Sequence, residues 1–233
     1  MRSDGASEAK FFDPIGRGDA KSVIARVLKD LGGAFVRLPG STKSLFDGDA
    51  RFAAEPDPNN ADYLYRANDL VSLPGKKYDG KRNLIKKFKA AYEYEYIAID
   101  DRVARDCLKF EETWCGIKNC DNVKGLDNER RAVREMLENF SEFGLMGGAI
   151  RVDGAICAIV VGERLNPNTL VMHILKAEPS KAGLYQTALN EFLARQGRDF
   201  EYVNLEQDLG EEGLRRSKIS YHPVGMIEKY TLR

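Results

Sequence analysis

The sequence predicts an α/β fold built on a mixed sheet, and three observations carry that reading. Residues 148–162 switch to an alternating period around Asp153-Gly154, a dipeptide suited to a two-residue hairpin turn. Apolar runs at 170–175 and 200–203 flank an amphipathic stretch, 181–196, and strands joined through a helix are expected to be parallel neighbours. Hydrophobic residues make up 43% of the 233 positions, ample for a core.

The elements follow in chain order. Residues 1–10 are polar and read as disordered, with no apolar segment to make a signal peptide. Asp19 caps a helix whose stripe is Val23, Ile24, Val27, Leu28 and Leu31, and Gly32-Gly33 stops it. A short strand covers 34–38, and Pro56, Pro58, Asn59 and Asn60 mark a break. A helix spans about 80–91, with Leu84, Ile85 and Phe88 inward and lysines on its other faces. The run 92–99 alternates as a strand, Tyr92, Tyr94 and Tyr96 on one face. Helices follow at 103–114 and after Asp127, which caps the second; its inward residues run from Ala132 to Phe140, and Gly144 ends it. Beyond the hairpin come a turn at 166–168, the strand 170–175, the helix from Ser180 or Lys181 to Gln196, and the strand at Phe200. A tail helix, 211–218, and a final strand, 226–232, end the chain.

Composition excludes several function classes. Lysines and arginines total 36, as do acids, so the net charge is zero. That argues against a general nucleic-acid binder and against duplex DNA as a partner, while allowing a local basic face. No run approaches the roughly 20 apolar residues of a membrane helix. Cys107, Cys115, Cys120 and Cys157 form no Cys-x-x-Cys pair and only two histidines exist, so no zinc site has ligands at the usual spacing. Cys115 and Cys120 are spaced closely enough to bridge, but nothing else suggests export. Reduced thiols in a cytoplasmic protein are the expectation.

The densest site chemistry lies at 202–223. Glu206 and Asp208 follow the strand at Phe200 on alternate positions, and Arg215 and Lys218 share one face of the tail helix. Acids at a strand exit facing bases on the next helix build a polar site at an α/β edge. A salt-bridge cluster fixing the tail helix would use the same residues, and acids at a helix start with bases at its end also suit the helix dipole. A second concentration of charge is the loop Gly75-Lys76-Lys77 and the helix start Lys81-Arg82-Asn83. Cations at a helix start oppose the dipole, so a phosphate, carboxylate or tRNA backbone would explain them. A solvated face explains Lys86, Lys87 and Lys89. Trp114 and the tyrosine face read as core rather than a stacking platform.

The run 202–230 resembles the C-terminal motif of the DUF2156 family, and Asp62-Tyr63-Leu64-Tyr65 with Asp69 to Asn83 supports the match. That family groups with the C-terminal catalytic domain of phosphatidylglycerol lysyltransferase and is similar to the GNAT acyltransferase superfamily. The resemblance implies a GNAT-like mixed sheet with helices on both faces, preceded by a partial similar half: residues 1–56 as an incomplete half and 57–233 as the GNAT-like domain. It implies acyl or aminoacyl transfer to an unknown acceptor, with acyl-CoA or aminoacyl-tRNA as the donor. Glu206, Asp208 and Tyr221 are the catalytic candidates. Lys77, Lys81, Arg82, Asn83, Arg215 and Lys218 are candidates for an anionic small-molecule or tRNA-linked donor. In a GNAT fold the loop after the strand 170–175 holds the donor's pyrophosphate by backbone amides, which adds Lys176, Lys181 and Gly183. Ser180 there also serves as a plain N-cap. The chain departs from the nearer family at His173-Ile174-Leu175-Lys176, where an acid is expected between His and Lys; Glu178 is a substitute candidate. A histidine within a strand is commonly a hydrogen-bonded structural residue. The competing readings are a non-catalytic binding module on a degenerate GNAT fold and an acetyl-CoA-dependent N-acetyltransferase.

Overall fold

The computed structural model describes residues 8–118 and 126–233. In chain order the elements begin β1 (Lys10–Phe11), α1 (Ala20–Leu31), β2 (Ala34–Pro39), α2 (Gly40–Ser44), β3 (Ala54–Pro56) and β4 (Asp62–Arg66). Next are α3 (Ala67–Ser72), α4 (Asp79–Ala91), β5 (Tyr94–Ala98), α5 (Asp101–Lys118) and α6 (Leu126–Glu138). The hairpin β6 (Met146–Val152) and β7 (Ala155–Asn166) leads to β8 (Thr169–Ala177), α7 (Leu184–Gln196) and β9 (Tyr202–Asn204). The tail holds α8 (Glu212–Ile219), β10 (Gly225–Ile227) and β11 (Lys229–Leu232).

These elements form two compact units, residues 1–64 with 206–233, and residues 65–205. The sequence division at 56/57 falls inside the first. Its sheet runs β1-β2-β11-β3, with the tail strand β11 antiparallel to both β2 and β3. Leu232 thereby joins Ile24, Phe35, Leu38 and Phe46 in one buried cluster, which ties the tail to residues 24–46. The single tail strand expected over 226–232 is two: β10 pairs with β4 at Asp62–Leu64, while β11 joins the other strands. Asp19 caps α1 as expected, accepting the Lys21 amide, and Gly32 at φ 65° ends it.

The second unit holds five strands in the order β9-β8-β7-β6-β5, antiparallel except for the parallel pair β8 and β9. Asp153 and Gly154, at φ 49° and 80°, make the two-residue turn between β6 and β7 with both residues left-handed, which suits this dipeptide. α5 and α6 pack on one face through Cys107, Phe110, Val133 and Leu137 against Ala149, Ile159, Val161 and Ile174. α7 lies on the other: Gln196 donates to the Tyr96 hydroxyl and Glu191 accepts from Tyr94. The tyrosine face of β5 is thus turned to a helix. Several boundaries shift, and α6 ends at Glu138 rather than at Gly144. α6 begins at Leu126, so Asp127 sits in its first turn rather than capping it, and pairs with Arg131 at 2.9 Å. α7 begins at Leu184, because Gly183 at φ 87° breaks the helix there. Cys107 and Cys157 are buried and free; the Cys115–Cys120 question involves a residue outside the described residues. The second unit is therefore a mixed α/β arrangement with helices on both faces of its sheet.

Candidate functional site

The tail cluster lies wholly in the unit of both chain ends. Glu206 sits at φ 56° and Leu209 at φ 56°, so the chain turns instead of continuing as a strand. The expectation that Glu206 and Asp208 project together from an extended segment is therefore corrected: Asp208 is buried at 1% exposure, and Glu206 is half-buried. Asp208 Oδ2 accepts from the Tyr63 hydroxyl at 2.7 Å and from Arg215 Nε at 2.8 Å. Its Oδ1 accepts from the Gly210 amide at 2.9 Å and from Arg215 Nη2 at 3.2 Å. Arg215 Nη2 also donates to Asn59 Oδ1 at 2.9 Å. These donors, the Arg215 guanidinium first, hold the Asp208 carboxyl down at about 2.

α8 brings Lys218 three residues beyond Arg215. Its amine donates to the Gln207 carbonyl at 2.7 Å and lies 5.9 Å from the centre of the Tyr63 ring. Burial pushes this amine down to about 8, against the opposing pull of Glu206, Asp208 and Asp62. Asp62 is itself paired with Lys229 at 2.8 Å. Tyr221 is buried, and its amide donates to the Lys218 carbonyl. The structure thus brings Glu206, Asp208, Arg215 and Lys218 together. Sequence reasoning missed Tyr63, Asn59 and the Asp62–Lys229 pair, although the alternation of Asp62-Tyr63-Leu64-Tyr65 was a usable sign of a buried strand.

The remaining candidates lie in the other unit. Lys176 is not at the surface of the loop: it is buried between Glu111, at 2.7 Å, and Glu129, at 3.0 Å, and stands 4.1 Å from the Trp114 ring centre. Lys181 pairs with Glu178 at 2.7 Å, and the same carboxylate takes the Ser180 hydroxyl. A side chain on Gly183 would overlap the Leu84 carbonyl, so α4 packs directly on the start of α7. β8 pairs with β9 over Thr169–Val171, the full length of the three-residue β9. His173 Nε2 lies 3.3 Å from Glu163. On α4, Arg82 is tied to the Leu73 and Gly75 carbonyls and to Asp79, a local account of a cation at a helix start. Lys81 is half-buried and its amine is lowered by burial; Lys77 stands 5.1 Å from the Tyr78 ring centre and Asn83 is exposed.

The chain belongs to the phosphatidylglycerol lysyltransferase C-terminal family, whose model matches residues 1–233. It is 37% identical to a conserved protein of unknown function from Bacteroides thetaiotaomicron, with a TM-score of 0.86 over 96% of this chain and 78% of that one. The C-terminal domain (DUF2156) of a candidate lysylphosphatidylglycerol synthetase from Agrobacterium fabrum shares the fold at 14% identity and a TM-score of 0.71, covering 97% and 78% of the two chains. An uncharacterized protein of Mycoplasmoides gallisepticum is 25% identical over 177 residues, 75% of this chain; the chain spans 56% of that relative's length. Among the described residues, no helix is long and apolar enough to cross a membrane.

Proposed function

We propose that the chain is an acyl- or aminoacyl-transferase centred on the tail cluster. The observation that carries this is the Lys218 amine, brought by burial to about 8 beside three acids and held on the Gln207 carbonyl. A general base works best with a pKa near the working pH. In the proposed step the acceptor's nitrogen or oxygen attacks the donor's acyl carbon and loses its proton to Lys218. With an aminoacyl-ester donor the carbon–oxygen bond to the leaving group then breaks, and Lys218 returns the proton to that oxygen. Glu206 binds an ammonium on acceptor or acyl group by charge. Asp208, with every oxygen engaged and held far below neutrality, acts as a positioning residue for Arg215, which faces an anionic donor group.

Two features favour an aminoacyl donor over acyl-CoA. The start of α7, where a GNAT fold binds a diphosphate, is covered by α4 at Gly183. Ser180 and Lys181, which would meet the phosphates, both serve Glu178. The test is transfer from radiolabelled aminoacyl-tRNA and from acetyl-CoA to a panel of amines and hydroxyls, with Lys218→Met alongside. Turnover from the aminoacyl donor that disappears in Lys218→Met supports the reading. Turnover from acetyl-CoA would replace it with an ordinary acetyltransferase. No turnover with either donor, and no thermal shift, would leave a binding module.

A further inference from the structure

Residues 76–89 carry seven lysines and arginines against one acid, Asp79, in a chain with no net charge. α4 places Arg82, Lys86 and Lys89 four and three residues apart, in one row about 10 Å long. Between this row and the end of α3 lies a groove of about 520 Å³. Its floor is aliphatic, from Val71, Leu73, Ile85 and Ala90, and no aromatic side chain lines it. The groove lies entirely within the 65–205 unit.

Its walls are held in place. Asn190 of α7 donates to the Leu70 and Val71 carbonyls, at 3.1 and 2.7 Å, and Arg82 takes the Leu73 carbonyl. These donors cover the negative end of α3, which would otherwise repel an anionic ligand. Arg82 is further fixed by Asp79, and Lys89 by Glu191, while Lys86 is exposed. Two of the three cations are therefore already ordered, which lowers the entropy lost on binding.

We propose that this groove docks an acidic amphipathic helix presented by a partner protein. One row of carboxylates faces Arg82, Lys86 and Lys89, and the adjoining apolar row lies on Val71 and Ile85. A row of anchors spaced three and four residues apart fits such a groove. An aliphatic floor between the cations suits leucine side chains, whereas single-stranded nucleic acid would call for an aromatic platform beside them. A membrane surface would call for large exposed apolar side chains, and among the described residues none lies between Leu45 and Ile117. The docking does not depend on the transfer chemistry proposed above.

The experiment titrates the full chain against a fluorescent peptide of roughly four helical turns, with Glu and Leu in adjoining rows. Bulk tRNA and vesicles containing anionic phospholipid are titrated in parallel. Lys86→Glu and Ile85→Ser are measured too, each checked by thermal melting. The expected result is saturable peptide binding, weakened about tenfold or more by either substitution, each worth about 1.4 kcal/mol or more. Three results would overturn the proposal. One is peptide binding that neither folded variant changes, or no peptide binding at all. Another is tRNA binding with a steep salt dependence that ignores Ile85→Ser. The third is capture by vesicles in place of the peptide.

Discussion

Lys176 in the 65–205 unit and Lys218 in the unit of 1–64 with 206–233 are both withdrawn from water, and their surroundings differ in kind. Lys176 lies between two carboxylates, Glu111 and Glu129, against the Trp114 ring. Lys218 donates to a peptide carbonyl, and burial outweighs the pull of Glu206, Asp208 and Asp62. The first arrangement fixes a charge and ties β8 to α5 and α6. The second leaves an amine whose charge changes near neutral pH. The two lysines look alike in sequence, and their counter-charges separate them.

The largest effect is expected at the fixed charge. Lys176→Met leaves the Glu111 carboxylate buried without its ammonium and should destabilise the fold by about 3–5 kcal/mol in denaturant titration. Glu111 is already raised by its burial, with Lys176 acting against that. Adding Glu111→Leu to Lys176→Met should recover most of the loss, because no unpaired charge then remains at the core. If the single variant melts like the parent, Lys176 is not an anchor, and the contrast with Lys218 collapses.

Next is Gly183→Ala. The new methyl group would overlap the Leu84 carbonyl at a left-handed φ of 87°, and a loss of about 2 kcal/mol or more is expected. An unchanged melting temperature would mean that α4 can move off the start of α7, and a diphosphate donor would return to consideration.

Asp208→Asn should cost about 1–3 kcal/mol at neutral pH, since it removes the charge from a hydrogen-bonded buried group. The parent's pH dependence has a definite sign. Asp208 falls from 3.8 to about 2 on folding, so its contribution is full above about 4 and is lost as the pH falls towards 2. Acid unfolding of Asp208→Asn should lack that component. Glu206→Gln should instead leave the melt nearly unchanged while lowering turnover. The reverse pattern would make Glu206 structural and return Asp208 to the catalytic role.

How much of this was legible follows from the range of each signal. The cap at Asp19, the turn at Asp153-Gly154 and the parallel return from β8 to β9 rest on neighbouring residues and on period, and the structure has all three. The three-residue spacing of Arg215 and Lys218 was likewise readable, because a helix fixes it. The left-handed Glu206 was not, since no periodicity encodes one dihedral. Tyr63 and Asn59 lie about 150 residues from Asp208 and Arg215 in the chain, and only β4 and the turn before it bring them near. Gly183 was read as part of an anion loop because a glycine at a helix start serves equally for close helix packing. Lys176 drew the same reading because Glu111 and Glu129 come from other helices.

The smallest effect on stability is expected from Lys218→Met, and it is the most informative. The amine falls from 10.5 to about 8 on folding, so between those values the unfolded chain binds the proton and the folded chain does not. Parent stability should therefore rise as the pH goes from about 8 to about 10.5, and below 8 the buried ammonium works against folding. Lys218→Met should melt at or slightly above the parent near neutrality and lose the alkaline rise. Turnover should vanish in Lys218→Met and also in Lys218→Arg, whose guanidinium keeps its proton. In the parent, turnover should climb with pH along a limb centred near 8, as the neutral amine becomes available. A flat profile between about pH 7 and 9, or full activity in Lys218→Arg, would remove the base from the mechanism. Lys218 would then join Lys176 as a residue that holds the fold.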